Sequence, residues 1–273
     1  MFTFVHLKSL KVKTRKEQLE SFERLLDIMD ELREKCPWDQ KQTLESLRKL
    51  TIEEVYELGD AILRNNLDEV KKELGDLLLH IVFYAKIGSE RNSFDIGDVI
   101  NNLTDKLIYR HPHVFGETQV SSALEVEQNW EALKLKEKDR GRRVLEGVPD
   151  ALPALVKANR IQEKARGVGF DWEEKEQVWD KVKEELVEFE TEVRSGNKLN
   201  MESELGDLIF SLVNAARLYD IDPESALERT NQKFIRRFNY LEEQTLLKGI
   251  SLHAMSLAEM DLYWEEAKRG EKR

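Results

Sequence analysis

Five acids in this chain recur in the same order 131 residues later. Glu53, Glu54, Glu57, Glu73 and Asp76 are matched by Glu184, Glu185, Glu188, Glu204 and Asp207. The match continues through Leu74-Gly75 against Leu205-Gly206, Leu77 against Leu208, Val82 against Val213 and Ala85 against Ala216. Acids are abundant, 54 of 273 residues, but ten at one offset with a shared glycine mark two copies of one unit. Residues three apart on a helix share a face. Glu54 therefore projects with Glu57 and Glu73 with Asp76, as do Glu185 with Glu188 and Glu204 with Asp207.

Carboxylates without histidine or cysteine suit a hard cation, Mg²⁺ or Mn²⁺. A helical di-iron centre would need Glu-x-x-His pairs. His80, one turn after Asp76, is replaced by Ser211 in the second copy and reads as structural. Leucines, isoleucines, valines and phenylalanines surround Asp76 and Asp207, which predicts helices buried on nearly every side. Carboxylates in such a setting repel one another strongly unless cations hold them. The competing reading is a solvated groove, with the acids paired to Lys49, Lys71, Lys72 or Lys183. Glu53 and Glu184 sit about 100° around the helix from their neighbours, placed to support the ligands or to act as a base.

Magnesium held by a few carboxylates and several waters usually awaits a phosphate. Complementary charge also recurs. Lys106 and Arg110 match Lys233 and Arg237 at an offset of 127, and Trp130 and Lys134 match Trp264 and Lys268 at 134. Lysine and arginine on one helix face can grip phosphate oxygens. A tryptophan can stack on a base, although Trp264 reads equally well as a core residue.

Apolar periodicity predicts helices at about Gln18–Lys35, Thr43–Asn65, Asp68–Glu90, Ile96–Tyr109 and Ser122–Asp139, with a break at Cys36-Pro37-Trp38-Asp39. Gly141, Gly147, Pro149 and Pro153 mark a linker. Periodicity resumes near Pro153, breaks at Gly167–Phe170, and continues at about Glu173–Arg194, Met201–Tyr219, Pro223–Leu247 and Ser256–Lys268. The fold class is all-α, with two tandem homologous helical-bundle domains. The expected division is a basic extension over 1–17, a first domain over 18–140, a linker over 141–152 and a second domain over 153–273.

A formal charge of −11 argues against a general nucleic-acid binder. Cys36 is the single cysteine, so an internal disulfide is excluded and a reducing compartment is expected. No run of apolar residues is long enough for a membrane span. The apolar start of the extension is too short for a secretory signal, and the expected location is the cytoplasm.

Glu-Glu-x-x-Glu followed by Glu-x-x-Asp resembles the all-α nucleoside triphosphate pyrophosphohydrolases. The double copy, with Cys36-Pro37-Trp38-Asp39, His111-Pro112-His113-Val114-Phe115 and Gly167-Val168-Gly169-Phe170-Asp171-Trp172, is similar to the two-domain MazG family. The resemblance covers the chain beyond roughly its first sixteen residues. It implies Mg²⁺-dependent cleavage of a nucleoside triphosphate between the α and β phosphates, with broad base specificity, a homodimer and a role in clearing the nucleotide pool. The family's metal ligands carry over to Glu185, Glu188, Glu204 and Asp207, with Glu54, Glu57, Glu73 and Asp76 as a second site. Its nucleotide contacts carry over to the Lys181–Glu185 segment, Lys233, Arg237 and Trp264, and Glu184 or Glu185 would activate water. Where the family often has a lysine before the second acid pair, this chain has Asn200. The alternative activity is hydrolysis of a dUTP-type nucleotide or a guanosine polyphosphate alarmone, and the alternative role of the first domain is assembly or regulation.

Overall fold

Most of the long helices start where a short polar side chain can accept the backbone N–H groups that the first turn leaves unpaired. In the computed structural model, which describes residues 12–122, 125–126, 129, 133 and 143–271, Thr14 and Glu17 form a reciprocal capping box. They open α1 (Arg15–Lys35), so the helix begins inside the stretch expected to be an extension. Thr43 caps α3 (Leu44–Leu63) and Asn66 caps α4 (Leu67–Glu90). Asp95 caps α5 (Ile96–Arg110). The break expected at Cys36-Pro37-Trp38-Asp39 holds, since α1 ends at Lys35, but Pro37 also begins the single-turn helix α2 (Pro37–Gln40), as Pro112 begins α6 (Pro112–Phe115). Proline lacks an N–H that the first turn does not use, and its fixed φ already suits a helix.

The second series contains a 3₁₀ turn at Val144–Gly147, then α7 (Ala154–Arg166) and α8 (Gln177–Ser195). It continues with α9 (Lys198–Leu218), α10 (Pro223–Leu247), a 3₁₀ turn at Leu252–Ala254 and α11 (Leu257–Gly270). No strand occurs among the described residues. No helix of the described residues is long and apolar enough to cross a membrane. The chain divides into two compact units, Met1–Thr118 and Gln119–Arg273. Most of the helix expected at Ser122–Asp139, with Trp130 and Lys134, lies outside the described residues.

In both units the two acid-bearing helices form a hairpin. The connection turns at a left-handed residue, Asn65 (φ 54°) in one and Gly196 (φ 74°) in the other. These two positions are also 131 apart. Asparagine and glycine tolerate this conformation, and no other side chain does so as readily.

The first unit builds its core from Met29, Leu47, Val82, Phe83 and Ile87, with Phe22, Leu25, Leu26, Leu50 and Leu79 packed around it. The Arg33 guanidinium lies over the Phe83 ring and pairs with Glu90, which ties α1 to α4. The second unit buries Val178, Val213, Ala215 and Leu241. Gln162 of α7 donates to the Phe210 carbonyl at 2.9 Å. Arg217, 7% exposed, donates to Asp171 through Nη1 and Nη2, which fixes the Gly167–Trp172 loop against α9.

Burial on nearly every side of α4 and α9 is not observed. Leu74 (53% exposed), Ile81 (47%), Leu205 (41%), Ile209 (42%) and Phe210 (41%) face outward. Each helix carries more apolar surface than its neighbours in one unit can cover. Exposed contiguous apolar faces of this kind mark interaction surfaces.

Candidate metal and phosphate site

Hairpin geometry brings the acids of consecutive helices together. In the second unit, ligand oxygens of Glu185, Glu204 and Asp207 lie within 4.8 Å of one another, and so do those of Glu184, Glu185 and Glu188. Glu185 belongs to both groups and is the buried member, at 5% exposed. In the first unit Glu54, Glu73 and Asp76 come within 4.8 Å, with Glu73 buried at 4%. Glu57 stands outside that trio, although its charge reaches Glu54. The structure also corrects which acid is deepest. Asp76 is half-buried and Asp207 exposed, whereas Glu73 and Glu185 project from their helices toward the hairpin partner.

Burial and charge repulsion within the clusters raise the proton affinity of one acid in each. Burial, then Asp76, Glu57 and Glu73, push the Glu54 carboxyl above the usual carboxylate range. Burial, then Glu188, Asp207 and Glu185, do the same to Glu204. Each cluster has one lysine. Lys181 Nζ lies 2.9 Å from Glu184 Oε1 and 2.6 Å from Glu185 Oε1. Hydrogen bonds to Glu184 and then Glu185 hold its ammonium well above the usual lysine range. Lys72 Nζ lies 2.9 Å from Glu73 Oε1 and 4.0 Å from Asp76 Oδ2. The groove reading is therefore right for Lys72, while Lys71 and Lys183 pair instead with Asp68 and Asp180.

These residues fit a divalent cation. An octahedral Mg²⁺ site spans about 4.2 Å between opposite oxygens, twice the usual bond length, so a trio within 4.8 Å needs little closure. In the first unit the buried Glu73 Oε2 has no hydrogen-bond partner, a costly condition that a bound cation would relieve. His80 is buried with Nδ1 unpartnered, and burial lowers its pKa against the opposing charge of Asp76. It joins no ligand group.

The phosphate candidates gather on α10 and α11. The Arg237 guanidinium lies 5.6 Å from the Trp264 ring centre, and Phe234 packs on that ring at 4.9 Å. Trp264 is half-buried, in contact with both Phe234 and Arg237. Lys233 lies one turn before Arg237, half-buried. Among the described residues, no hydrogen bond or ion pair joins this set to the acids. Asn200 donates to Glu192 at 3.2 Å. Sequence reading missed Glu271, which pairs with Arg237. A pair separated by 34 residues leaves no periodic trace in the sequence.

Residues 42–115 and 173–241 match the family model described as the MazG nucleotide pyrophosphohydrolase domain, once over each acid hairpin. The chain belongs to the MazG family. It is 46% identical over 254 residues to the Thermotoga maritima nucleoside triphosphate pyrophosphohydrolase/pyrophosphatase MazG, covering 92% of this chain and 97% of that protein. The Escherichia coli K12 nucleoside triphosphate pyrophosphohydrolase is 39% identical over 260 residues, covering 93% of this chain and 99% of that protein. A crystal structure of a mazG-related protein from Thermotoga maritima aligns at 30% identity and a TM-score of 0.37, over 41% of this chain and 98% of that one. Both family segments carry a complete set of the repeated acids.

Proposed function

We propose that this MazG-family chain is a nucleoside triphosphate pyrophosphohydrolase that cleaves between the α and β phosphates, releasing NMP and pyrophosphate, at the acid cluster of its second unit. The observation that carries this reading is the convergence of Glu185, Glu204 and Asp207 within 4.8 Å, with Glu184, Glu188 and Lys181 beside them. The relatives' names agree with it. Glu185, Glu188, Glu204 and Asp207 would hold Mg²⁺, with Mn²⁺ a chemically equivalent occupant. When bound, such an ion neutralises triphosphate charge and makes a coordinated water more acidic.

The chain's own residues supply the remaining work. Glu184 is exposed beside buried Glu185, and either carboxylate can orient the attacking water and take its proton. Lys181 bridges both acids, and their hydrogen bonds hold its proton more tightly than usual. Its charge offsets part of the cluster's repulsion and offers a donor to a phosphate oxygen. Lys233 and Arg237 supply further donors, and Arg237 is the forked one. The Trp264 ring offers a stacking surface that any base can use, which supports broad base specificity.

The outward apolar residues of α4 and α9 support a homodimer in which a second copy covers them. The first unit's trio, with its unpartnered Glu73 oxygen, is a second metal-binding cluster. Incubating the protein with each NTP and Mg²⁺ and separating the products by chromatography tests the main reading. NMP and pyrophosphate are expected. NDP with phosphate, or no turnover of any nucleotide, would overturn it. Sedimentation velocity tests the dimer, and a monomer at micromolar concentration refutes it.

A further inference from the structure

On α10, Arg236 and Arg237 lie three and four residues after Lys233, so both share a side of the helix with it. Across from them, Glu271 is the C-cap residue just past the end of α11. Arg237 Nε and Nη2 both donate to Glu271 Oε2, at 3.0 and 2.6 Å. Arg236 Nε lies 3.7 Å from Oε1, and Lys233 adds its charge to the same carboxylate. Arg237 is otherwise enclosed, with Trp264 under one face and only 15% of its side chain exposed. One anionic group with two oxygens, set among three cations and held by a guanidinium fork, has the donor geometry that a phosphate would receive.

A tie between helices would give the same distances. Position separates the two roles. The Glu271 side chain is nearly a third exposed, at the C-cap of its helix, where leaving costs little packing. The arginine it holds is the one assigned above to phosphate. We propose that Glu271 is a built-in competitor, occupying the Arg237 phosphate subsite until a polyphosphate displaces it. The inference rests on the reading of Arg237 as a phosphate contact. A subsite filled by its own chain binds more weakly, in proportion to the fraction of time it is free.

The test is Glu271→Gln in the full chain, with binding of inorganic tripolyphosphate measured by calorimetry alongside kcat and KM for ATP with Mg²⁺. Tripolyphosphate should bind roughly three- to tenfold more tightly, as expected for removing one exposed, charge-assisted pair. KM should fall by a similar factor with kcat unchanged, and the gain should shrink in high salt. Glu271→Asp, which keeps the charge, should stay near the parent protein. Unchanged or weaker tripolyphosphate binding by Glu271→Gln overturns the proposal, whatever its melting temperature. Tighter tripolyphosphate binding without release of NMP and pyrophosphate would keep this inference and refute the proposed reaction.

Discussion

The two acid hairpins neutralise themselves from opposite sides. In the first unit the lysine comes from the second acid-bearing helix, Lys72 of α4. In the second it comes from the first acid-bearing helix, Lys181 of α8. The repeat explains why. At the position equivalent to Lys181 the first unit has Leu50, packed against its core, and at the position equivalent to Lys72 the second unit has Ser203. The uncompensated acid changes helix accordingly. Glu54 of α3 is pushed up in one unit and Glu204 of α9 in the other. The carboxylates are thus the shared constraint, and the counter-cation is a local solution that each copy reached separately. Only the second copy, among the described residues, sets its lysine beside the carboxylates proposed to activate water and shares its unit with the Arg237–Trp264 pair.

The comparison breaks most sharply on activity. Glu204→Gln should lower kcat/KM for NTP hydrolysis on the order of 10³-fold, the scale of losing metal-borne charge stabilisation. Glu73→Gln should change it less than about twofold if the second cluster carries the reaction. Steady-state kinetics of both proteins decides this, and the opposite ranking would reverse the assignment of the units. Next in size is the lysine. Lys181→Leu should cost roughly 10- to 100-fold in kcat/KM, the worth of a hydrogen bond to a charged group, while Lys72→Ser should leave hydrolysis nearly unaltered. Equal losses would mean that the side from which the cation comes is immaterial.

A smaller effect concerns the shared glycine. A Cβ built at Gly75 or Gly206 meets nothing within 4 Å, so alanine there should stabilise an isolated helix by about 1 kcal/mol. The proposed second copy is what would exclude it. Gly206→Ala should weaken dimerisation by about fivefold or more, by sedimentation equilibrium, through overpacking. A dimer of unchanged affinity would place both glycines away from that interface.

The smallest effect is on stability. A carboxyl raised in the fold binds more protons there than in the unfolded chain, so stability falls as pH rises through the raised pKa. In metal-free protein, Glu204→Gln should therefore raise the melting temperature at pH 7 by about a few degrees. The gain should vanish below the ordinary glutamate value of 4.5, where the native acid is already neutral. Glu54→Gln should behave alike in the first unit. A gain that persists at low pH would assign the effect to something other than charge.

Much of this was legible in the residues. The acid spacing gave the two hairpins, and their connection at Asn65 and Gly196 was marked by turn residues. The long helices lie within a few residues of their expected positions because their apolar period is strong. What escaped has physical reasons. Pro37 marked the break after α1 but not the short helix it begins, because proline ends one helix and begins another with the same chemistry. The outward faces of α4 and α9 could not be told from buried ones, since periodicity reports that a face is apolar and not which chain covers it. Arg217–Asp171 and Arg237–Glu271 join residues distant in sequence, and single charges carry no periodicity. Among the acids, Glu57 was expected in a quartet, yet the first unit gathers a trio without it.

The turn at Asn65 and Gly196 sets how the site responds to changes in chain length. Each residue added to or removed from a helix rotates everything beyond it by about 100°. A single insertion beside Asn197, taken up in the first turn of α9, would swing Glu204 and Asp207 away from Glu185 without altering any of the acids. The connector would thus act as a phase lock between the two halves of the cluster. Substitutions on the hairpin's outer surface would leave that phase alone, while length variation at its tip would not.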